Sequence, residues 1–251
     1  MQQSSGKQSL ALWHSVNMSA TTDHNPAVLS ASLGRLFPAG ALVAELRVPG
    51  DPALLYLEEA VHLGRAVPKR VQEFTAGRLC ARRVLAEFGV RGFPVRAAED
   101  RQPVWPARLI GSITHTDGFC AAVAADKTQV AAIGMDTELA GGVKTELWPG
   151  ICTRSEIGWL QSLPQSQQAA AATLIFTAKE SFYKCQYPLT RERLGFQDAT
   201  VEVAAWGAAR GAFTVHANRS VAFARYATLP MSGEFLLHEQ FVTAGMAALP
   251  R

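Results

Sequence analysis

Charge is sparse in this chain and cysteine is sparser. Of 251 residues, 18% are Asp, Glu, Lys or Arg, and the formal net charge is only +3. A nucleic-acid-binding module carries a clear basic excess, often interleaved with aromatics, and neither is present, so no nucleic-acid partner is expected. The four cysteines, Cys80, Cys120, Cys152 and Cys185, lie far apart. With no Cys-x-x-Cys pair and no histidine at zinc-finger spacing, they read as reduced, buried thiols of a cytoplasmic protein. No apolar run reaches the roughly 18 residues that would span a bilayer, so no stable membrane insertion is expected. The start of the chain lacks a basic flank followed by an apolar stretch, which argues against a secretory leader.

What is present is a chain long enough for one large domain or two small ones. Hydrophobic residues make up 48% of it, enough for a real core, and abundant Gly and Ala point to a core of small and medium side chains. Residues 1–38 are rich in Ser, Thr, Gln and Asn without a clear period. They read as an N-terminal tail or extension. Met18 lies inside this stretch and offers an alternative start of translation; N-terminal sequencing of native protein would test it, and a peptide beginning before Met18 would exclude it.

Beyond the tail, "ALVAELRV" (Ala41 to Val48) reads as a first strand. In "VPKRVQEFTAGRLCARRVLAEFGV", Pro68 suits a helix start and Gly89 a stop. Phe74, Ala81, Leu85 and Phe88 recur at helical spacing, and Arg78 and Arg82, four apart, share a face beside that stripe. "RQPVWP" reads as a loop, and in "GSITHTDG" His115 follows a Gly- and Ser-containing turn and precedes another Gly. "FCAAVAA" and "QVAAIGMDTE" read as two strands of a hairpin joined by "DKTQ". After Gly141 and Gly142 the chain turns helical, through "RSEIGWLQSL" and "SQQAAAATLIFTAKESFYKCQY", with Pro188 closing the second helix. The last sixty or so residues alternate short β-like runs with Gly-containing turns. The order predicts an α+β chain with two halves of similar content.

Asp136 and Glu138 are two apart on a predicted strand and so project from one face. Two adjacent carboxylates repel, and burying them together calls for a cation. Taken alone, the pair fits a solvated strand end or a hard-metal site; Mg²⁺ uses one or two carboxylates, waters and substrate phosphates. His115, with Thr114 and Ser112 beside it, could donate hydrogen bonds to a phosphate, or be an ordinary loop histidine. Arg78, Arg82 and Arg101 could supply charge for bidentate phosphate contacts, or be surface residues. In "FTAKESFYKCQ", Lys179, Glu180 and Lys184 crowd one and a half turns of helix, where an ordinary Glu180–Lys184 pair would also fit.

Order along the chain joins these signals. Thr114–His115, then Gly134, Asp136 and Glu138, then Phe176, Lys179, Glu180 and Lys184 resemble the 4'-phosphopantetheinyl transferases of the enterobactin synthetase component D type. The hallmarks of that family read approximately Gly-x-Asp-x-Glu and Trp/Phe-x-x-Lys-Glu-x-x-x-Lys, with a Ser/Thr-His segment upstream. "EFTAGRLCARRVL" and "RQPVWP" also look like family segments, and the resemblance runs from about Leu46 to Thr243. Met135 stands where Ile or Val is more usual, and Thr114 where Ser is common.

The resemblance implies two similar α+β halves, an N-terminal half over residues 39–132 that binds coenzyme A and a C-terminal half over residues 133–251 with the metal site and catalytic helix. The active site would lie in the cleft between them. It implies Mg²⁺-dependent transfer of the 4'-phosphopantetheine arm of coenzyme A, here a substrate, to a serine of an apo acyl, peptidyl or aryl carrier protein. Siderophore or other non-ribosomal peptide synthetase carriers are the favoured partners, and a monomer is expected. Asp136, Glu138 and Glu180 would hold the metal. Glu180 would also be the general base, Lys184 would face the phosphates, and Lys179 would contact a phosphate or orient the nucleophile. Thr114, His115, Arg78, Arg101 and Arg82 would bind coenzyme A. "PKR" at Pro68–Arg70 and "RER" at Arg191–Arg193 are candidate contacts for an acidic carrier. The competing readings are a non-catalytic paralogue that only binds coenzyme A or a carrier, and a Mg²⁺-dependent phosphohydrolase.

Overall fold

The computed structural model describes residues 25–250, residue 62 excepted. The alternative start at Met18, and the expected tail as far as residue 24, lie outside the described residues. In chain order the elements are β1 (Val28–Leu29), α1 (Ala31–Gly34), β2 (Leu42–Leu46), α2 (Leu57–Ala60), α3 (Pro68–Glu87), β3 (Leu109–Thr116), β4 (Phe119–Asp126), β5 (Ala132–Leu139), α4 (Trp148–Ile151), α5 (Arg154–Ser162), α6 (Gln165–Thr190), β6 (Ala199–Val203), β7 (Arg210–Ala217), β8 (Met231–His238) and β9 (Phe241–Ala248).

Two antiparallel sheets organise the chain, which makes it α+β. The first has strand order β1-β2-β4-β3 and the second β5-β9-β8-β7-β6. Each carries one long helix. The helix α3 begins with Pro68 at its first turn, where a missing N–H costs nothing. It ends in a Schellman closure: Gly89 takes φ +74°, its N–H bonds Ala86 O, and the Val90 N–H bonds Leu85 O. Leu79, Cys80, Val84 and Leu85 of α3 pack on Cys120, Ala122 and Ala124 of β4. In the second half, Leu174, Ile175, Ala178 and Phe182 of α6 pack with Val201, Phe213, Phe235 and Ala244 of the sheet.

A third cluster joins the halves. Alternation along β4 turns Phe119, Ala121, Val123 and Ala125 away from α3, and these meet Ile133 and Met135 of β5 and Phe241 of β9, with Leu33 and Leu36 on the same face. The expected small residues fill both faces of β4: Ala122 and Ala124 under α3, and Ala121 and Ala125 in this third cluster, are all fully buried.

Four expectations are corrected. Residues 25–38 are part of the fold rather than tail, because Leu33 and Leu36 are buried, β1 pairs with β2, and Ser30 caps α1. The strands β4 and β5 do not form a hairpin. Although Asp126 closes a local turn with Thr128 and Val130, both edges of β4 are taken by β2 and β3, and β5 pairs with β9, Asp136 opposite Ala244. Gly111 and Ser112 do not make a turn before His115; all three lie in β3. Pro188 does not close α6; it lies in the last turn, and the helix ends at Arg191 in the left-handed conformation, φ +57°.

Candidate functional site

Gly134 determines how closely α6 approaches β5. A Cβ built on it would stand 2.0 Å from Ser181 O and 2.7 Å from Cys185 N, so only glycine admits the helix here. Ser181 Oγ adds a 2.9 Å bond to Ala244 O of the neighbouring strand. The residues before and within this contact, Glu180 and Lys184, are thereby brought over the face of β5 that carries Gly134, Asp136 and Glu138.

The resulting cluster is acidic. Asp136 is 5% exposed; its Oδ1 accepts from Lys184 Nζ at 2.6 Å and from Thr114 Oγ1 at 3.1 Å. Its buried Oδ2 has no hydrogen-bond partner among the described residues. Glu138 Oε2 accepts from Thr116 Oγ1 at 2.9 Å. Burial raises the Glu138 carboxyl above its ordinary range; the Thr116 bond opposes this, and the Asp136 charge adds to it. Glu180 is raised by burial first, then by Asp136 and Glu138, with Lys184 pulling the other way. Three carboxylates thus feel one another, with one ammonium between them. Such a set fits a hard cation: the negative charge is in excess, and Asp136 Oδ2 is a buried oxygen with an unmet lone pair. Among the described residues no three His, Cys, Asp or Glu side chains are spaced to grip one ion by themselves. The side chains of the cluster do not by themselves complete a coordination shell; Mg²⁺ commonly uses one or two carboxylates and takes the rest of its shell from waters and substrate phosphates.

Space for a substrate adjoins it. A cleft of about 570 Å³ runs between the halves, bounded by Arg101, Trp105, Ile113 and Ser112 on one side and by Tyr183, Lys184, Tyr187 and Arg193 on the other. The rings of Tyr183 and Tyr187 stack at 5.1 Å. A second hollow of about 300 Å³ lies against Glu180, walled by Tyr183, Arg193, Leu194 and Phe196. A third, about 90 Å³, is lined by Lys69, Glu73, His115 and Phe119. His115 lies on β3 with Nε2 2.7 Å from Arg70 Nη1 and Nδ1 3.7 Å from Glu73 Oε2. The arginine donates, so Nε2 accepts and the ring proton is assigned to Nδ1. Burial, then Arg70, lowers the His115 pKa, with Glu73 opposing, and so favours the neutral ring.

Of the expected site residues, Asp136, Glu138, Glu180, Lys184 and Thr114 come together, with the His115 ring electrostatically coupled to Lys184 and Asp136; Arg101 lines the cleft. Three do not join them. Lys179 is 4% exposed and donates to Glu156 Oε2 at 2.8 Å, Ile151 O at 2.9 Å and Phe196 O at 2.8 Å. All three ammonium protons are spent, so Lys179 cannot serve a phosphate or a nucleophile; helical geometry turns it away from Lys184. Arg78 is 7% exposed, donates to Val95 O at 2.9 Å and stacks over Phe74 at 3.7 Å. Burial lowers its pKa to about 10. Arg82 bonds Leu54 O, pairs with the buried Glu59 at 3.8 Å and lies over Tyr56. These two arginines fasten α3 to the loops around residues 54–59 and 95, and no described bond from either reaches the carboxylates. Sequence reasoning passed over Thr116, whose signal was the alternation Ser112-x-Thr114-x-Thr116. It also passed over Glu156, whose capping box with Thr153 is legible as Thr-x-x-Glu before α5.

Comparison with known proteins covers both halves. A model described as the 4'-phosphopantetheinyl transferase N-terminal domain matches residues 58–125. The model of the 4'-phosphopantetheinyl transferase superfamily matches residues 132–237. The chain is 37% identical over 175 residues to the 4'-phosphopantetheinyl transferase Svp of Streptomyces mobaraensis, covering 68% of this chain and 71% of that one. It is 33% identical over 183 residues to the 4'-phosphopantetheinyl transferase Npt of Nocardia iowensis, covering 72% and 82%. Enterobactin synthase component D of Salmonella typhi is 41% identical over 135 residues, covering 52% and 54%. Both motif strands and the helix that carries Glu180 and Lys184 fall within the matched segments, and the chain belongs to the 4'-phosphopantetheinyl transferases.

Proposed function

We propose that this enzyme moves the 4'-phosphopantetheine arm of coenzyme A onto a serine hydroxyl of an apo carrier protein and releases adenosine 3',5'-bisphosphate. The observation that carries the reading is the cluster of Asp136, Glu138, Glu180 and Lys184 at the wall of a cleft between the halves. In the reaction the serine oxygen forms a bond to the phosphorus bearing the pantetheine arm, and that phosphorus loses its bond to the bridging oxygen of the diphosphate. Charge grows on the leaving phosphate, so groups poised to meet it accelerate the step.

Lys184 supplies one such group. Its ammonium is shared between Asp136 and the cleft, so it can turn a proton toward a phosphate oxygen without leaving its partner. Glu180, whose carboxyl burial raises above its ordinary range, is the candidate acceptor for the serine proton. Asp136, Glu138 and Glu180 would hold Mg²⁺, which when bound neutralises diphosphate charge. His115 with Arg70, and Arg101 in the cleft, offer donors for the remaining phosphate of coenzyme A. The aromatic wall of Trp105, Tyr183 and Tyr187 suits a long, weakly polar arm. The carrier class we favour is that of siderophore or other non-ribosomal peptide synthesis, in keeping with the likeness to enterobactin synthase component D, and the enzyme is read as a cytoplasmic monomer. Among the described residues, no helix is long and apolar enough to cross a membrane.

Intact-mass spectrometry of a purified apo carrier, incubated with enzyme, coenzyme A and Mg²⁺, tests this. A gain of one phosphopantetheine arm, abolished by EDTA, is the expected result. Bound coenzyme A with no gain on peptidyl, acyl or aryl carriers would favour a binding protein, and nucleotide release without any carrier a phosphohydrolase.

A further inference from the structure

The strands β3 and β5 are the end strands of separate sheets and share no backbone ladder. Hydroxyls join them instead. Ser112 Oγ accepts from Met135 N at 3.2 Å and lies 3.4 Å from Met135 O. Thr114 Oγ1 accepts from Thr137 N at 2.9 Å and donates to Asp136 Oδ1. Thr116 Oγ1 donates to Glu138 Oε2. An end strand exposes alternate N–H groups that must find partners; those of Met135 and Thr137 find them in side chains two residues apart on β3. The period of two on β3 matches the period of two on β5. The Thr137 side chain is gripped as well, with Oγ1 2.8 Å from Thr243 Oγ1, itself 2.8 Å from His238 Nε2.

We propose that Ser112, Thr114 and Thr116 form a hydroxyl seam that aims the two β5 carboxylates, and that Thr116 is a positioning residue for Glu138 in divalent-cation binding. Asp136 is held twice, by Thr114 and Lys184. Among the described residues, Thr116 is the one hydrogen-bond donor to the Glu138 carboxylate. A glutamate has rotamers to lose on ordering, and repulsion from Asp136 pushes Glu138 out of line. The Thr116 bond counters both: it fixes one carboxylate oxygen and leaves the other for the ion. The hydroxyls of Ser112 and Thr114, expected at first as phosphate donors, are already engaged in this seam.

This inference rests on the transferase reading only for its consequence in turnover, and its test separates the two. Mn²⁺ binding is followed by the electron paramagnetic resonance signal of the free ion, with coenzyme A present and no carrier, for the wild type, Thr116→Val and Thr116→Ser. Valine keeps the shape and removes the donor; serine keeps the donor. The expected result is an apparent Mn²⁺ dissociation constant raised about tenfold or more in Thr116→Val, the scale of a lost bond to a charged group, and restored to within about twofold in Thr116→Ser. Coenzyme A affinity and thermal unfolding should stay near the wild type. Equal Mn²⁺ affinity in all three, or a wild type that binds no Mn²⁺, overturns the proposal. If Thr116→Val fails to fold by circular dichroism, Thr116→Ala with the same serine rescue makes the comparison. Normal Mn²⁺ behaviour with no mass gain on any carrier would overturn the transferase reading while leaving the seam standing.

Discussion

Lys179 and Lys184 lie five residues apart on α6 and meet opposite fates. Lys179 is fully desolvated against Glu156, whose other oxygen accepts from Val201 N at 2.6 Å. Lys184 keeps 28% of its side chain in solvent and stands at the cleft. Lys179→Met leaves the Glu156 carboxylate buried without its cation, which costs about 3–5 kcal/mol; urea denaturation reads it, and a loss under 1 kcal/mol would show the pair to be dispensable. Lys184→Met should slow transfer by about 10²–10³-fold, as for a donor aimed at developing charge, on top of whatever stability is lost when Asp136 gives up its cation; a rate within threefold of the wild type would remove Lys184 from the chemistry. The motif spacing marked both lysines. It could not say which face of the helix meets the carboxylates, because that depends on where β5 lies. The same limit applies to Arg78 and Arg82, which share a helix face as expected, but a face that meets Val95, Leu54 and Glu59.

At the scale of elements, the site is a contact between one strand and one helix. Gly134 is the point of closest approach. Gly134→Ala would drive a methyl into Ser181 O, and neither backbone can yield without moving α6. Overpacking of this kind costs typically 1–3 kcal/mol and occasionally more. The expected outcome is a lower melting temperature together with a larger proportional loss of transfer, since Glu180 and Lys184 ride on the displaced helix. A variant with lowered stability but unchanged kcat would show that the helix position is not what assembles the site. The placement of Asp136 and Glu138 on one strand face was legible from their spacing of two. The strand that holds them was not: β3 was hidden by Gly111, Ser112 and Gly118, residues that signal turns in isolation. Here Gly111 lies under Trp105, where a Cβ would be 2.6 Å from the indole, and the hydroxyl of Ser112 faces β5.

At the scale of the molecule, the two halves share an apolar cluster between their own cores. Ile133, Met135 and Phe241 of the second half cover Ala121 and Val123 of the first. Arg47, just after β2, pairs with Glu239 in the β8–β9 turn, and Asp100 pairs with Arg191 after α6. The ion pairs are exposed and contribute little; the apolar cluster is what joins the halves. A fragment ending before β5 would expose that face of the first sheet, so residues 25–131 alone should lack a cooperative thermal transition by circular dichroism. A sharp transition in the fragment would mean the halves fold independently. The two-half organisation was visible in the order of elements, but the boundary was not visible as a linker, because the turn after Asp126 is only a few residues long.

The sequence by itself determined the chemistry: which side chains are acidic, basic or small, their spacing on strand and helix, and through these the family. Those are local properties, since the repeat of a strand or a helix is a matter of backbone geometry alone. The tertiary structure alone decided which of the charged residues share a site, because that depends on which faces meet when α6 packs on β5 and β5 settles against β3. It turned Lys179, Arg78 and Arg82 into fasteners of the fold, and made a run of three hydroxyls the junction between two sheets.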